Sequence, residues 1–137
     1  MIRGIGVDLV DKDRFIKLVK KFGNRVASKI LSVEEYSDYL NISNKTSFLS
    51  KRFAAKEALS KALGTGLYRE GLYPKYITIK HDNYGKPFFS LSSKLEENVN
   101  VRYSSLQLSI TDSDTSSIAF VVVESWVISK TISAIHP

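Results

Sequence analysis

No cysteine occurs anywhere in the chain. Disulfides, thiolate catalysis and cysteine-ligated zinc are therefore excluded together, and the absence suits a reducing compartment. No apolar run approaches the ~20 residues that span a bilayer, so no membrane partner is expected. Met1-Ile2-Arg3-Gly4 leads straight into a strand-like pattern, without the order of segments that marks a secretory signal. A cytoplasmic location is the expectation. Nucleotide-site signatures are missing too: neither a Gly-x-x-x-x-Gly-Lys-Ser/Thr loop nor a Gly-x-Gly-x-x-Gly strand–helix turn is present. The only histidines, His81 and His136, are far apart in sequence. A histidine-rich metal site and a Ser–His–Asp triad thus have no centre to form around. His81 reads as an exposed strand residue and His136 as part of a frayed tail. Internal repeats, low-complexity tracts and linkers are also lacking.

What is present fits one domain of 137 residues, with 43% hydrophobic and 25% charged side chains. Twenty Lys and Arg against 14 Asp and Glu leave a net charge of +6. Such a field attracts nucleic acid, anionic membrane, an acidic protein or a phosphorylated small molecule. A merely solvated basic surface is the equal alternative, and charge alone does not choose. The aromatic residues mostly fall at core spacings rather than on an exposed stacking face, which weighs against nucleic acid.

Residues 2–10 alternate with period two, placing Ile5, Val7 and Leu9 on one face and Gly4, Gly6 and Asp8 on the other. The face with Asp8 is almost bare of side chains, which leaves room for a ligand to approach the backbone. Asp11 to Phe22 reads as a basic helix capped by Asp11, with Phe15, Leu18, Val19 and Phe22 as its apolar stripe. A short helix is expected over Val26–Leu31. Ser32-Val33-Glu34-Glu35 has the form of a capping box for the next one. A long helix runs from about Lys45 to Leu63 and stops at Gly64-Thr65-Gly66. Strands are expected at Tyr76–Lys80, Phe88–Leu91, Leu106–Thr111 and Ser117–Ser125, with a possible second capping box at Ser93–Glu96. Ile118–Val123 is apolar on both faces, as a central strand would be. The sum is a single compact α+β domain, mainly antiparallel sheet packed against a long central helix and shorter helices.

Candidate chemistry rests on two carboxylates with basic neighbours. Glu57 and Lys61 stand at i, i+4 on the long helix, and Asp8 ends the first strand. Two carboxylates converging from separate elements suit a divalent cation and a phosphate-bearing substrate. Taken singly, each has a bland alternative: Asp8 as a turn residue, Glu57 and Lys61 as solvated helix residues. Arg52 carries a weaker signal still. The Gly64-Thr65-Gly66 turn is most simply a helix stop, yet free backbone N–H groups there would also hold phosphate oxygens. Lys86 in Gly85-Lys86-Pro87 is by default a hairpin lysine.

Together and in order, these motifs resemble a known family. Gly4-Ile-Gly-Val-Asp8-Leu-Val-Asp-x-x-Arg14, Leu31-Ser32 with Glu35, Arg52-Phe-Ala-Ala-Lys-Glu57-Ala-x-x-Lys61-Ala-x-Gly64-Thr-Gly66, Gly85-Lys86-Pro87 and Leu108-Ser-Ile-Thr-Asp112 look like those of the holo-[acyl-carrier-protein] synthases. These are the small, trimeric branch of the 4′-phosphopantetheinyl transferases. The resemblance extends over about residues 2 to 125 and implies a transferase domain over 1–126, followed by a tail of unassigned role at 127–137. It implies transfer of the 4′-phosphopantetheine of coenzyme A to a serine of apo-acyl carrier protein, releasing adenosine 3′,5′-bisphosphate, in support of fatty acid biosynthesis. Asp8 and Glu57 fall on the family's Mg²⁺ ligands, and Asp8, Glu57 and Lys61 on its catalytic set. Arg52, Lys61, Gly64, Thr65, Gly66, Lys86, Pro87, Ser109 and Thr111 fall in regions that line the coenzyme A site, which lies between subunits of a homotrimer. Arg14 falls on the helix that docks the acidic carrier protein. Many members have histidine where this chain has Asp112 and some have Asp, so the difference is within the family's range but removes one candidate base or contact. Val127, Ile128, Ile132 and Ile135 in the tail could pack on a neighbour or be frayed.

Overall fold

The computed structural model describes residues 1–126. The tail with Val127, Ile128, Ile132, Ile135 and His136 lies outside the described residues. In chain order the elements are β1 (Ile2–Asp11), α1 (Lys12–Phe22), α2 (Arg25–Ile30), α3 (Val33–Asn41), α4 (Lys45–Leu63), a 3₁₀ turn (Pro74–Tyr76), β2 (Ile77–His81), β3 (Pro87–Leu91), α5 (Ser93–Asn98), β4 (Ser104–Asp112) and β5 (Ser116–Ser125). An antiparallel sheet has the order β1–β5–β4, so the strand that is apolar on both faces is the central one. β2 and β3 form a separate antiparallel hairpin. The expected α+β domain is the observed one.

Helix α4 is the hub. Asn44 caps its start by accepting a hydrogen bond from the Ser47 N–H at 3.1 Å, and Gly64 ends it in the left-handed region at φ 76°. Phe48, Leu49, Ala54, Ala55, Ala58, Leu59 and Ala62 are all buried. Burial on several sides leaves no clean apolar stripe, as expected of a helix enclosed by its own domain.

The bare face of β1 corrects one expectation. It is not open to a ligand, because α4 fills it. A Cβ on Gly4 would overlap the Ala62 carbonyl oxygen; one on Gly6 would overlap that of Ala58 and lie 2.7 Å from the Ala62 nitrogen. Two strand residues advance ~6.7 Å and four helix residues ~6 Å, so strand and helix stay in step along this seam. The apolar face of β1 points the other way: Ile5, Val7 and Leu9 are 61%, 54% and 59% exposed, beside Phe120 of β5 at 44%.

Asp11 stands at the N-cap of α1 but its side chain makes no capping bond, and two further caps behave differently from their sequence reading. Ser32 and Glu35 do form a capping box, with Ser32 N–H donating to Glu35 Oε1 at 2.9 Å. Glu35 is nonetheless fully enclosed: its Oε1 also accepts from Lys56 Nζ at 2.5 Å, and its Oε2 from the Ile79 N–H at 2.9 Å. Lys56 completes its shell with the carbonyls of Ile30 at 2.7 Å and Pro74 at 3.0 Å. Burial pulls the Lys56 ammonium down to about 8, against the opposing pull of Glu35. Breaking such a buried pair from one side costs about 3–5 kcal/mol. The second correction is smaller: α5 is capped by Ser92, whose hydroxyl accepts from the Leu95 N–H at 3.3 Å, not by Ser93.

The seam gives a direct test. Gly6→Ala forces a methyl into backbone that cannot yield like a side chain, at a cost of about 3 kcal/mol, the upper end for overpacking. Urea unfolding should show a lowered midpoint with an unchanged slope.

Candidate active site

The β1–α4 seam carries the side chains predicted to act together. Asp8 follows Gly6 on the same face of β1, and so meets α4 where Glu57 and Lys61 project. Lys61 Nζ donates to Asp8 Oδ1 at 3.0 Å and to the Val7 carbonyl at 2.9 Å. Glu57 is half-buried, and its carboxyl is held above the usual range first by burial and then by the charge of Asp8. Lys61 and Arg14 pull it back. Asp8 and Glu57 are therefore close enough to repel through the structure, with two cations beside them. Arg14 lies on α1, its guanidinium 5.7 Å from the Phe53 ring centre.

The donor set suits a hard divalent cation. Two carboxylates supply oxygen ligands while leaving most of an octahedral shell to water and phosphate, as Mg²⁺ prefers. Their mutual repulsion is the physical sign that a positive charge between them would be welcome. Lys61 now partly fills that need at Asp8. Among the described residues no cluster of three or more His, Asp or Glu is formed that would hold a metal unaided.

A second feature lies on the other side of α4. A cleft of about 300 Å³ is lined by apolar Ile42, Phe48, Pro87 and Ile110, by polar Lys51, Arg52, His81 and Asp112, and by Gly85. The Arg52 guanidinium stacks on Phe48 at 3.5 Å, and its Nε is buried without a hydrogen-bond partner. The Glu35 carboxylate is its nearest anion, at 3.8 Å. Asp112 accepts from Lys12 Nζ at 2.8 Å and from the Ser47 hydroxyl at 3.0 Å, and these bonds hold its carboxyl below the usual range. It pins the end of β4 to α1 and α4.

The remaining predicted residues are dispersed. The N–H groups of Gly64, Thr65 and Gly66 donate to the carbonyls of Lys61 and Ser60, so the turn is not the free anion cradle that the glycines suggested. Only the Thr65 hydroxyl is left buried without a partner. Lys86 sits in the β2–β3 turn, next to the lining residues Gly85 and Pro87. Ser109 and Thr111 are exposed on the outer face of the sheet, Ser109 opposite Phe120. Sequence reasoning missed Lys51 and the facing of His81 toward Arg52, because the cleft is assembled from α4, the hairpin and β4. It also missed the burial of Lys56, whose only sequence signal is an apolar neighbourhood.

Loss of one charge in the carboxylate pair must be felt by the other. In Asp8→Asn, carbon-detected NMR titration of the Glu57 carboxyl should give a lower pKa than in the unsubstituted protein, since one of the two causes raising it is removed. An unchanged Glu57 titration would mean that the two groups are not coupled.

Comparison with known proteins gives a consistent answer. The model of the 4′-phosphopantetheinyl transferase superfamily matches residues 4–123. A holo-[acyl-carrier-protein] synthase of Nitrosospira multiformis is 42% identical over 125 residues, 90% of this chain and 99% of that protein. The crystal structure of the holo-[acyl-carrier-protein] synthase of Neisseria meningitidis superposes with a TM-score of 0.85 at 40% identity, covering 91% of this chain and 100% of that one. That of Bacillus anthracis, in complex with CoA (3′,5′-ADP), superposes at 0.76 with 34% identity, covering 91% and 98%.

Proposed function

The chain belongs to the 4′-phosphopantetheinyl transferase superfamily, and on that premise we propose that it is a holo-[acyl-carrier-protein] synthase whose transferase domain spans residues 1–126. The serine oxygen of an apo-acyl carrier protein bonds to the pantetheine-side phosphorus of coenzyme A. The bond from that phosphorus to the adenosine-side phosphate oxygen breaks, and adenosine 3′,5′-bisphosphate leaves. The observation that carries this reading is the Asp8–Glu57–Lys61 constellation on the β1–α4 seam.

In this reading Asp8 and Glu57 are the residues that would hold Mg²⁺. Bound there, the ion would neutralise pyrophosphate charge and favour in-line displacement. Lys61, beside both carboxylates, would offer its ammonium to the leaving phosphate. The serine hydroxyl must lose a proton, and the carboxylate pair supplies the nearest acceptor oxygens.

The coenzyme A nucleotide takes the cleft, with Arg52 and Pro87 in its wall and Lys86 in the adjoining turn. Arg52 and Lys61 are nine positions apart on α4, about 180° around a helix of 3.6 residues per turn. One chain therefore turns its catalytic group and its cleft in opposite directions. A homotrimer resolves this by setting the cleft of one subunit beside the carboxylates of the next. The exposed apolar face of Ile5, Val7, Leu9 and Phe120 supplies a contact surface for it. Ser109 and Thr111, on that same outer face, and the Gly64-Thr65-Gly66 turn then line the site across the subunit boundary.

The carrier protein docks along α1. Arg14 and Lys17 border one depression with Asp11 and Asp13, and a second, apolar one has Leu18 and Phe22 flanked by Arg25 and Lys29. Basic residues around an apolar patch suit an acidic, amphipathic partner. Among the described residues no helix is long and apolar enough to cross a membrane. We place the enzyme in the cytoplasm, supplying holo-carrier protein for fatty acid biosynthesis, with no nucleic-acid partner.

Incubation with coenzyme A, Mg²⁺ and apo-acyl carrier protein should add the mass of one phosphopantetheine to the carrier by mass spectrometry. Asp8→Asn and Glu57→Gln should each slow transfer at least about a hundredfold, the usual loss for removed charge stabilisation, with little change in melting temperature. A carrier of unchanged mass, or full activity in both variants, would overturn the assignment.

A further inference from the structure

The cleft has a polarity that its proposed ligand must match. Its apolar lining suits a planar base, and Lys51 and Arg52 stand close enough to His81 for their charges to act on it. Lys51 and Arg52 come from α4, and His81 ends β2. Coenzyme A carries its anionic charge on a pyrophosphate and on a 3′-phosphate monoester. The pyrophosphate is required at Asp8, Glu57 and Lys61, so the monoester is the anion left for this group. Arg52 is suited to it: its guanidinium lies over Phe48 in the cleft wall, and Glu35, its nearest anion, stays beyond hydrogen-bond reach at 3.8 Å.

Resting on the coenzyme A reading above, we propose that His81 is a further ligand-contacting residue, joining Lys51 and Arg52 on the 3′-phosphate and taking one proton from solvent as that phosphate binds.

The charges facing His81 explain why it would be neutral beforehand. Partial covering by its neighbours and the charges of Arg52 and Lys51 together hold its imidazole below the ordinary range, and Asp82 only partly opposes them. Asp82 is itself engaged by the N–H groups of Tyr84 and Lys86 at 2.8 and 2.9 Å, and its carboxyl lies low for that reason. Asp112, across the cleft on β4, is occupied by Lys12 and Ser47. Lys86, in the same turn, adds its charge to those lowering the Asp82 carboxyl. Lys80, one residue back on β2, is drawn toward Glu34 at 3.6 Å. A phosphate dianion reverses the sign of the field at His81, and a histidine is the side chain whose charge changes near neutral pH.

The test is calorimetric titration of the intact protein with coenzyme A and with 3′-dephospho-coenzyme A, at about pH 7 in two buffers of different ionisation enthalpy. Coenzyme A should bind with a proton uptake that His81→Gln removes, and with an affinity that falls severalfold between about pH 6 and pH 8 in the unsubstituted protein only. The phosphate's own titration near pH 6 would release protons instead, and it cancels in the comparison of the two proteins. Dephospho-coenzyme A should show no difference between them. His81 is exposed, so its replacement leaves the core untouched. Equal proton uptake in both proteins, or an equal effect of His81→Gln on both ligands, would overturn the inference while coenzyme A binding stood. Failure of the unsubstituted protein to bind either ligand or to modify the carrier would overturn the coenzyme A reading itself, and this inference with it.

Discussion

Backbone-to-backbone contact between β1 and α4 is the constraint on which everything else rests. Gly4 and Gly6 let the strand lie against the carbonyls of Ala62 and Ala58, a separation no side chain would permit. The small residues Ala54, Ala55, Ala58 and Ala62 give α4 the narrow profile this needs. Because the two elements are in step, Asp8 has little freedom of position relative to Glu57 and Lys61. A strand glycine that weakens intrinsic strand preference thus buys placement of a carboxylate.

Around that seam the domain distributes charge with care. Lys56, next to Glu57 in sequence but sealed inside with Glu35, ties the other side of α4 to α2, α3, the 3₁₀ turn and β2. The pair fixes the helix against the elements that bear the cleft. Asp112 with Lys12 and Ser47 does the same at the end of β4. The Lys61–Asp8 pair is of another kind: the Lys61 side chain is 52% exposed and the Asp8 side chain 15%. With its cation in solvent, the pair contributes less to stability than the sealed one, so it is the more readily exchanged for a ligand. Rigid pairs hold the frame, and the replaceable pair stands where chemistry is expected.

Much of this was legible in the chain. Period-two alternation put Asp8 on the glycine face, and helical spacing put Lys61 one turn beyond Glu57. The both-sided apolar run at Ile118–Val123 correctly named the central strand. What alternation could not say was which face of β1 is inside, since the glycine face looks empty until a helix backbone fills it. Ile5, Val7 and Leu9 consequently turn out to be exposed. Likewise Ser32–Glu35 was readable as a cap, because that bond is local; the Lys56 contact, formed 21 residues away, was not. The cleft fell in the same blind spot, joining Lys51, His81 and Asp112 from three distant segments.

The most direct measurement is a crystal structure with coenzyme A and Mn²⁺, which stands in for Mg²⁺ and is located by its anomalous scattering. The account predicts a single peak bonded to oxygens of both Asp8 and Glu57 at about 2.1 Å, the distance for a small octahedral cation, with Lys61 swung from Asp8 to a phosphate oxygen. A peak held by only one of these carboxylates, or Lys61 still paired with Asp8 beside a bound pyrophosphate, would contradict it.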